Sequence, residues 1–301
     1  GVLQKTRGGV ILQARETASL DPTYAMRLSV NMDEKNRIAR AASAYIYEGD
    51  NIMFDSGSTV LELAKELPVR NHLGIIPYDL YVALELVKRE LDFFLEHRVP
   101  QVKFVDRTFN CSKKHTMEVW RHITEHDNGV TNFHFEISAD LLDEEELELM
   151  AQMRPGLIQL EIGVQSTNPD TIREIRRKTD LNRLKSVVER IHGFGNIHCH
   201  LDLIAGLPYE EYESFRNSFN EVYGMKPDQL QLGFLKVLKG SYMAENAEAY
   251  GLVYSAKPPY EVLGTKWLDY ESLLKLKGVE EMVEVYENSG QFTVTMKELV
   301  K

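Results

Sequence analysis

The sequence predicts an α/β fold. Its centre is a partial or completed parallel (βα) barrel, preceded by Rossmann-like βα units and followed by a mostly helical C-terminal extension. Two observations predict it. Four successive strand-like stretches each carry one apolar and one polar face, since neighbouring side chains on a strand point to opposite sides. Helix-length segments separate every pair, and parallel neighbours need such crossovers whereas antiparallel ones can be joined by a short turn.

The stretch His198-Cys199-His200-Leu201-Asp202-Leu203-Ile204-Ala205-Gly206-Leu207-Pro208 shows the pattern most clearly. Ile197, Cys199, Leu201 and Leu203 share one face, and His198, His200 and Asp202 the other. Over 132–138, Phe133, Phe135 and Ile137 oppose His134, Glu136 and Ser138. Over 157–165, Ile158, Leu160, Ile162 and Val164 oppose Gln159, Glu161, Gly163 and Gln165; over 229–236, Leu230, Leu232 and Phe234 oppose Gln229, Gln231 and Gly233. Buried parallel strands normally read as almost continuous apolar runs, and a structural barrel fills its lumen with Val, Ile and Leu. Polar faces turned inward therefore imply a cavity for a polar ligand.

Composition sets outer limits. The chain has 301 residues with 43% apolar and 27% charged content, ordinary values for a globular protein. A net charge of -11 argues against a dominant nucleic-acid-binding face. No apolar run approaches the ~20 residues of a membrane span, and no secretory signal opens the chain. Two cysteines, Cys111 and Cys199, exclude a disulfide framework and suggest a reducing compartment. The expectation is a cytoplasmic protein that binds a small molecule and no membrane; the first residue, Gly1, suggests a fragment or processed chain.

The chain opens with a short strand expected over 9–12 and a polar loop. A helix is expected over 31–47, from Ile38, Ala41, Ala42, Tyr45 and Ile46 at helical spacing. Strands at 51–54 and 73–76 alternate with helices ending at 67 and 97. Between the first strand and its helix lies Asp55-Ser56-Gly57-Ser58-Thr59. A strand that ends in a Ser/Gly/Thr loop opening a helix exposes unpaired N–H groups at a positive terminus, a seat for phosphate; the alternative is a plain N-cap at Ser56 or Ser58. The run Asp143-Glu144-Glu145-Glu146 reads as the solvated first turn of a helix. Helices are expected over 241–251 and 271–288.

Gly8-Gly9-Val10, Asp33-Glu34-Lys35-Asn36-Arg37-Ile38-Ala39, Gly49-Asp50, Phe54-Asp55-Ser56-Gly57-Ser58-Thr59 and Tyr81-Val82-Ala83-Leu84 together resemble the effector domain of DeoR-type bacterial repressors, over roughly residues 1–86. That resemblance implies a sensor of sugar phosphates, with Asp55, Ser56, Gly57, Ser58 and Thr59 binding phosphate. No helix-turn-helix precedes it in this sequence, so DNA binding is not expected.

Phe104-Val105-Asp106-Arg107-Thr108-Phe109, Phe135-Glu136-Ile137-Ser138, Glu161-Ile162-Gly163-Val164-Gln165-Ser166 and Leu203-Ile204-Ala205-Gly206-Leu207-Pro208 recur in order with helix-length gaps. They resemble the radical SAM superfamily, in its cobalamin-binding-domain-associated branch, over about residues 85–301. The resemblance implies S-adenosylmethionine bound at the strand ends. Glu136, Gln165 and Ser166 would contact its polar parts, Gly206, Leu207 and Pro208 would lie by the adenine, and Asp106 would line the site. It also implies a [4Fe–4S] cluster on three cysteines spaced C-x3-C-x2-C. This sequence has no cysteine before Cys111, so the cluster is not supported and the expected core is catalytically inactive.

The predicted organisation is a DeoR-effector-like fragment over 1–86, a radical-SAM-like barrel over 87–240 and an extension over 241–301. The strands at 51–54 and 73–76 could substitute for the missing opening of the barrel. For the lumen residues His134, Glu161, His198, His200 and Asp202, ligand binding is favoured. A three-ligand metal site on His198, His200 and Asp202, serving a barrel hydrolase, is the alternative, and a satisfied polar network is the third. The sequence fixes neither substrate nor oligomeric state.

Overall fold

The computed structural model describes residues 2–6, 9–13, 27–67 and 73–299. Gly8 of the first motif and most of the expected polar loop lie outside the described residues. The chain divides into two compact units, Gly1–Phe93 and Phe94–Lys301.

In the first unit β1 (Val2–Thr6) and β2 (Gly9–Gln13) pair antiparallel. Then come α1 (Met32–Ser43), β3 (Asn51–Phe54), α2 (Ser58–Glu66), β4 (Gly74–Pro77) and α3 (Leu80–Glu96), within which the division falls. β3 and β4 run parallel, the arrangement that the α2 crossover permits. Ile46, Phe54, Leu61, Ala64, Leu67 and Val82 form a buried cluster. The two strands make a two-stranded sheet of their own. They are therefore not hydrogen-bonded members of the barrel sheet, contrary to the expectation that they replace its opening.

In the second unit β5 (Gln101–Lys103), α4 (Lys113–Glu125), β6 (Asn132–Ile137), α5 (Glu144–Ala151), β7 (Ile158–Gln165), α6 (Pro169–Glu174), α7 (Leu181–Phe194), β8 (His198–Ala205), α8 (Tyr212–Tyr223) and β9 (Gln229–Phe234) follow one another. The five strands form one parallel sheet in chain order. β5 and β9 are its edges, so the sheet is an open, partial barrel. One face holds Phe133, Phe135, Ile137, Ile158, Leu160, Ile162, Leu201, Leu203 and Leu230, all at most 1% exposed. Each such side chain contributes roughly 1.5–3 kcal/mol relative to exposure, which fixes the register: a slip by one residue would turn the polar set into the core.

The acidic run is more than a solvated turn. Asp143 caps α5 by accepting from Glu146 N at 3.2 Å, and Glu146 Oε2 accepts from Asp143 N at 3.0 Å, a capping box that leaves Glu146 buried.

The extension comprises α9 (Tyr242–Glu245), β10 (Val253–Tyr254), β11 (Val262–Gly264), α10 (Tyr270–Met282), a π-helical turn Val283–Asn288 and α11 (Thr293–Leu299). The helix expected over 241–251 stops at Glu245, where Asn246 Nδ2 donates to Tyr242 O at 2.8 Å and competes for a helical carbonyl. Asn288 closes the edge of β9: its Nδ2 donates to Leu230 O at 2.9 Å and its Oδ1 accepts from Leu230 N at 3.0 Å. Among the described residues no helix is long and apolar enough to cross a membrane.

Candidate functional site

The strand register lays the polar face out in rows. Lys103, His134, Gln159 and His198 form the first; Glu136, Glu161, His200 and Gln229 the second; Gly163, Asp202 and Gln231 the third. Most contacts run across the strands, and one runs along β8, where the rings of His198 and His200 meet edge to face with centroids 4.8 Å apart.

Glu161 is the hub of the first two rows. Its Oε2 lies 3.1 Å from Lys103 Nζ and 3.0 Å from His134 Nε2. The second approach is at ion-pair distance but lacks hydrogen-bond alignment, leaving His134 Nε2 without a proper partner. Burial, then Lys103, push His134 below its usual value against the pull of Glu161. His200 is pushed down to about 4, first by burial and then by His198 and His134. Neutral His200 can then accept at Nε2 from the amide Nε2 of Gln159, 2.9 Å away.

The third row differs. Asp202 is pushed up to about 7 by burial and by the like charges of Glu161 and Glu136. Glu136 is itself raised by burial and Glu161. Two cations compensate, Lys103 first and then Arg177, which lies in the turn after α6 and which the sequence pattern did not flag because it belongs to no strand. Arg177 Nη2 donates to Gly163 O at 2.6 Å and its Nε to Thr179 Oγ1 at 3.1 Å. Burial lowers its pKa while Asp140, Glu136 and Asp202 pull it up.

Gly163 makes this geometry possible. A Cβ there would fall 2.3 Å from Gln165 Nε2 and 3.5 Å from Arg177 Nη2. Gln165 sits at a register shift with φ of 71° and folds back over the glycine. Gln165 Oε1 and Asp202 Oδ1 are buried without a hydrogen-bond partner. Both line a cavity of about 470 Å³ at the C-terminal side of β7, β8 and β9, together with Gln231, Lys236, Glu261 and Glu280.

The raised Asp202 has a testable consequence. Its folded-state value lies above the usual carboxylate value, so the folded chain binds more protons between the two, and stability falls as pH rises from about 4 to about 7, then levels. Asp202→Asn is expected to remove that part of the slope and to melt higher than wild type at pH 8. Parallel melting curves for the two proteins from pH 4 to 8 would contradict it.

The other sequence-predicted residues fall in several places. Ser166 is fully buried; its Oγ donates to Glu210 Oε1 at 2.7 Å and accepts from Asn168 N at 3.0 Å, so it braces the β7 loop. Glu210 also accepts from Ser218 at 3.0 Å, and burial raises its pKa. Gly206 has φ of 87°, and a Cβ there would lie 2.7 Å from Val262 Cγ1. Leu207 and Pro208 are buried, and Pro208 O accepts from Thr171 Oγ1 at 2.9 Å. Asp106 is exposed beyond β5 and does not line the cavity. His198 is exposed with Nδ1 4.0 Å from Asp228 Oδ2. The three-ligand reading of His198, His200 and Asp202 is not met: among the described residues no three His, Cys, Asp or Glu side chains converge to hold a metal.

In the first unit, Gly57 is the N-cap of α2 and no side chain caps it, so neither Ser56 nor Ser58 acts as the cap. Asp55 and Ser56 are exposed, Gly57 and Thr59 half-buried and Ser58 buried; Ser56 N donates to Asp55 Oδ1 at 2.7 Å.

Three family models match the chain: the Radical SAM superfamily over residues 69–222, the DeoR C terminal sensor domain over 30–95, and Protein of unknown function (DUF4080) over 248–301. The chain is 37% identical over 90 residues to the Transcriptional repressor AccR of Agrobacterium fabrum, covering 30% of this chain and 34% of that protein. It is 31% identical over 107 residues to the Oxygen-independent coproporphyrinogen III oxidase of Salmonella typhimurium, covering 34% of this chain and 23% of that one. The chain thus spans about a third or less of these relatives. Among solved structures it is similar to coproporphyrinogen III oxidase (HemN) from Escherichia coli, with 18% identity, a TM-score of 0.48 and coverage of 70% of this chain and 48% of that one. It is also similar to the methyltransferase TsrM from Kitasatospora setae, with 17% identity, a TM-score of 0.48 and coverage of 57% and 34%.

Proposed function

We propose that this chain, which belongs to the radical SAM superfamily, binds S-adenosylmethionine on the polar face of its open barrel and does not cleave it reductively. The superfamily match overlaps a DeoR-type sensor match over residues 69–95, so the chain joins segments of two families. One observation carries the binding reading: Gln165 Oε1 and Asp202 Oδ1 are buried acceptors without partners on the wall of a 470 Å³ cavity. Buried polar atoms are costly unless paired, and a ligand rich in hydroxyl and amino donors pairs them. Arg177 and Glu136 lie close enough to interact electrostatically and would orient the charged end of such a ligand. Glu210 and Ser166 hold the loop after β7 in place.

The residues do not fit the cluster. Iron–sulfur clusters are held by cysteine thiolates, and this sequence has two cysteines. Cys111 is exposed beside α4; Cys199 is buried in β8 with its thiol pushed up to about 12, first by burial and then by Asp228. Without a reductant at the site, the sulfonium receives no electron.

Calorimetric titration with S-adenosylmethionine is expected to give one site, and Gln165→Ala is expected to weaken it about tenfold, the ~1.4 kcal/mol of one hydrogen bond. Anaerobic reconstitution with iron and sulfide is expected to give no thiolate-to-iron absorbance. A stoichiometric cluster, or release of 5′-deoxyadenosine on reduction, would overturn the second half of the reading; no heat of binding would overturn the first.

A second reading concerns the first unit alone. The α2 N-terminus, capped by Gly57 and no side chain, leaves N–H groups for an anion. Glucose 6-phosphate is expected to raise the melting temperature of that unit, and Gly57→Pro to abolish the shift; a panel of hexose phosphates without effect would eliminate it.

A further inference from the structure

The wall of the cavity away from Gln165 is not built by the barrel. Residues 260–262 run antiparallel to the chain leaving β9: Val237 N donates to Tyr260 O and Val262 N to Leu235 O, both at 2.9 Å, and Lys236 bridges with Glu261. This ladder sets Glu261 at the cavity, and α10 adds Glu280. The extension therefore completes a pocket that β8 and β9 leave open.

The charges in that wall are unequally used. Lys277 Nζ donates to Glu261 Oε1 and stands 4.5 Å from the centroid of the Phe234 ring, so its charge is spent. Glu280 lies one turn further along α10 and lines the same cavity. Among the described residues its carboxylate has neither a hydrogen bond nor an ion pair. Burial raises its pKa while Lys277 draws it down. Across the cavity wait the two unpaired acceptors, Gln165 Oε1 and Asp202 Oδ1. Lys236 is the one basic side chain among the lining residues without such a partner, and it is exposed. Among the charged lining residues the carboxylates Asp202, Glu261 and Glu280 outnumber the single cation Lys236, and Leu203, Ile204, Leu232, Phe234 and Leu235 supply the apolar part.

We infer that the extension-built wall is a second subsite that binds an organic ammonium ion, with Glu280 as its counter-ion and Phe234 and Leu235 flanking its aliphatic part. The inference deepens the reading above, since the ammonium ligand would lie in the same chamber as the adenosyl ligand. It makes the extension the specificity-determining part of the chain.

Three probes of one length separate the chemistries: 1,4-diaminobutane, 1,4-butanediol and succinate, each titrated calorimetrically into the whole chain. The diamine is expected to bind at least tenfold more tightly than the diol or the diacid. Glu280→Gln is expected to weaken the diamine about tenfold without lowering the melting temperature. Glu271→Gln, an exposed carboxylate at the start of α10, controls for the loss of one negative charge and is expected to change nothing. Equal affinity for the three probes, or equal effects of the two variants, would overturn the subsite. S-adenosylmethionine titrated separately keeps the readings apart: diamine binding without it removes the adenosyl reading alone, and its binding without the diamine removes the subsite alone.

Discussion

Phe135→Ala is expected to lower the stability of the barrel unit by about 3–5 kcal/mol, the usual range for deleting a buried phenyl ring. Phe135 is fully buried on β6. Its ring centroid lies 4.5 Å from that of Phe104, 4.4 Å from Phe109 and 6.0 Å from Trp120. The loss therefore combines the transfer of the ring, the cavity left behind and aromatic pairs of about 0.5–1.5 kcal/mol each. The effect also reaches the loop after β5, because Phe104 and Phe109 bracket Asp106 in the chain and rest on this ring. Urea unfolding followed by the fluorescence of Trp120 and Trp267 measures it, with the midpoint lower and the slope unchanged. Phe135→Leu is expected to keep most of the stability. A loss under about 1 kcal/mol for the alanine variant would show that the aromatic stack is dispensable.

Gly206→Ala comes next. The residue has φ of 87°, a region that costs a side chain about 1–2 kcal/mol. The added methyl would meet Val262 Cγ1 at 2.7 Å, with Leu235 Cβ at 3.7 Å, and forced packing costs typically about 1–3 kcal/mol more. Because Val262 belongs to β11, the strain passes into the segment that carries Glu261, and binding of S-adenosylmethionine is expected to fall with stability. Val262→Ala in the same chain relieves the collision and leaves the backbone cost, so the double variant is expected to recover part of the melting temperature but not all. No recovery would place the whole penalty in the backbone and remove the contact with Val262 from the explanation.

What could be read from the sequence follows the physics of each element. The β8 pattern was legible because a period of two over eight residues is hard to produce by accident, and the apolar members proved buried while Asp202 and His200 share the opposite face. The polar rows were legible for the same reason, and so was their parallel order. Arg177 was not: a turn residue with a long side chain reaches the site by tertiary geometry that no periodicity records. Ser166 adjoined Gln165 in a quoted motif, yet neighbours at a strand end point different ways, and it turned toward Glu210. The wall from the extension was equally invisible, because Glu261 and Glu280 come together only once residues 260–262 find the end of β9. Among the expected helices, 241–251 failed where Asn246 offered the backbone a competing bond.

The amide of Asn288 imitates a peptide group beside Leu230. By occupying both the donor and the acceptor of that residue, it denies a docking rung to any foreign strand that would zip onto the sheet. Self-association through this border is thereby discouraged at the cost of a single side chain.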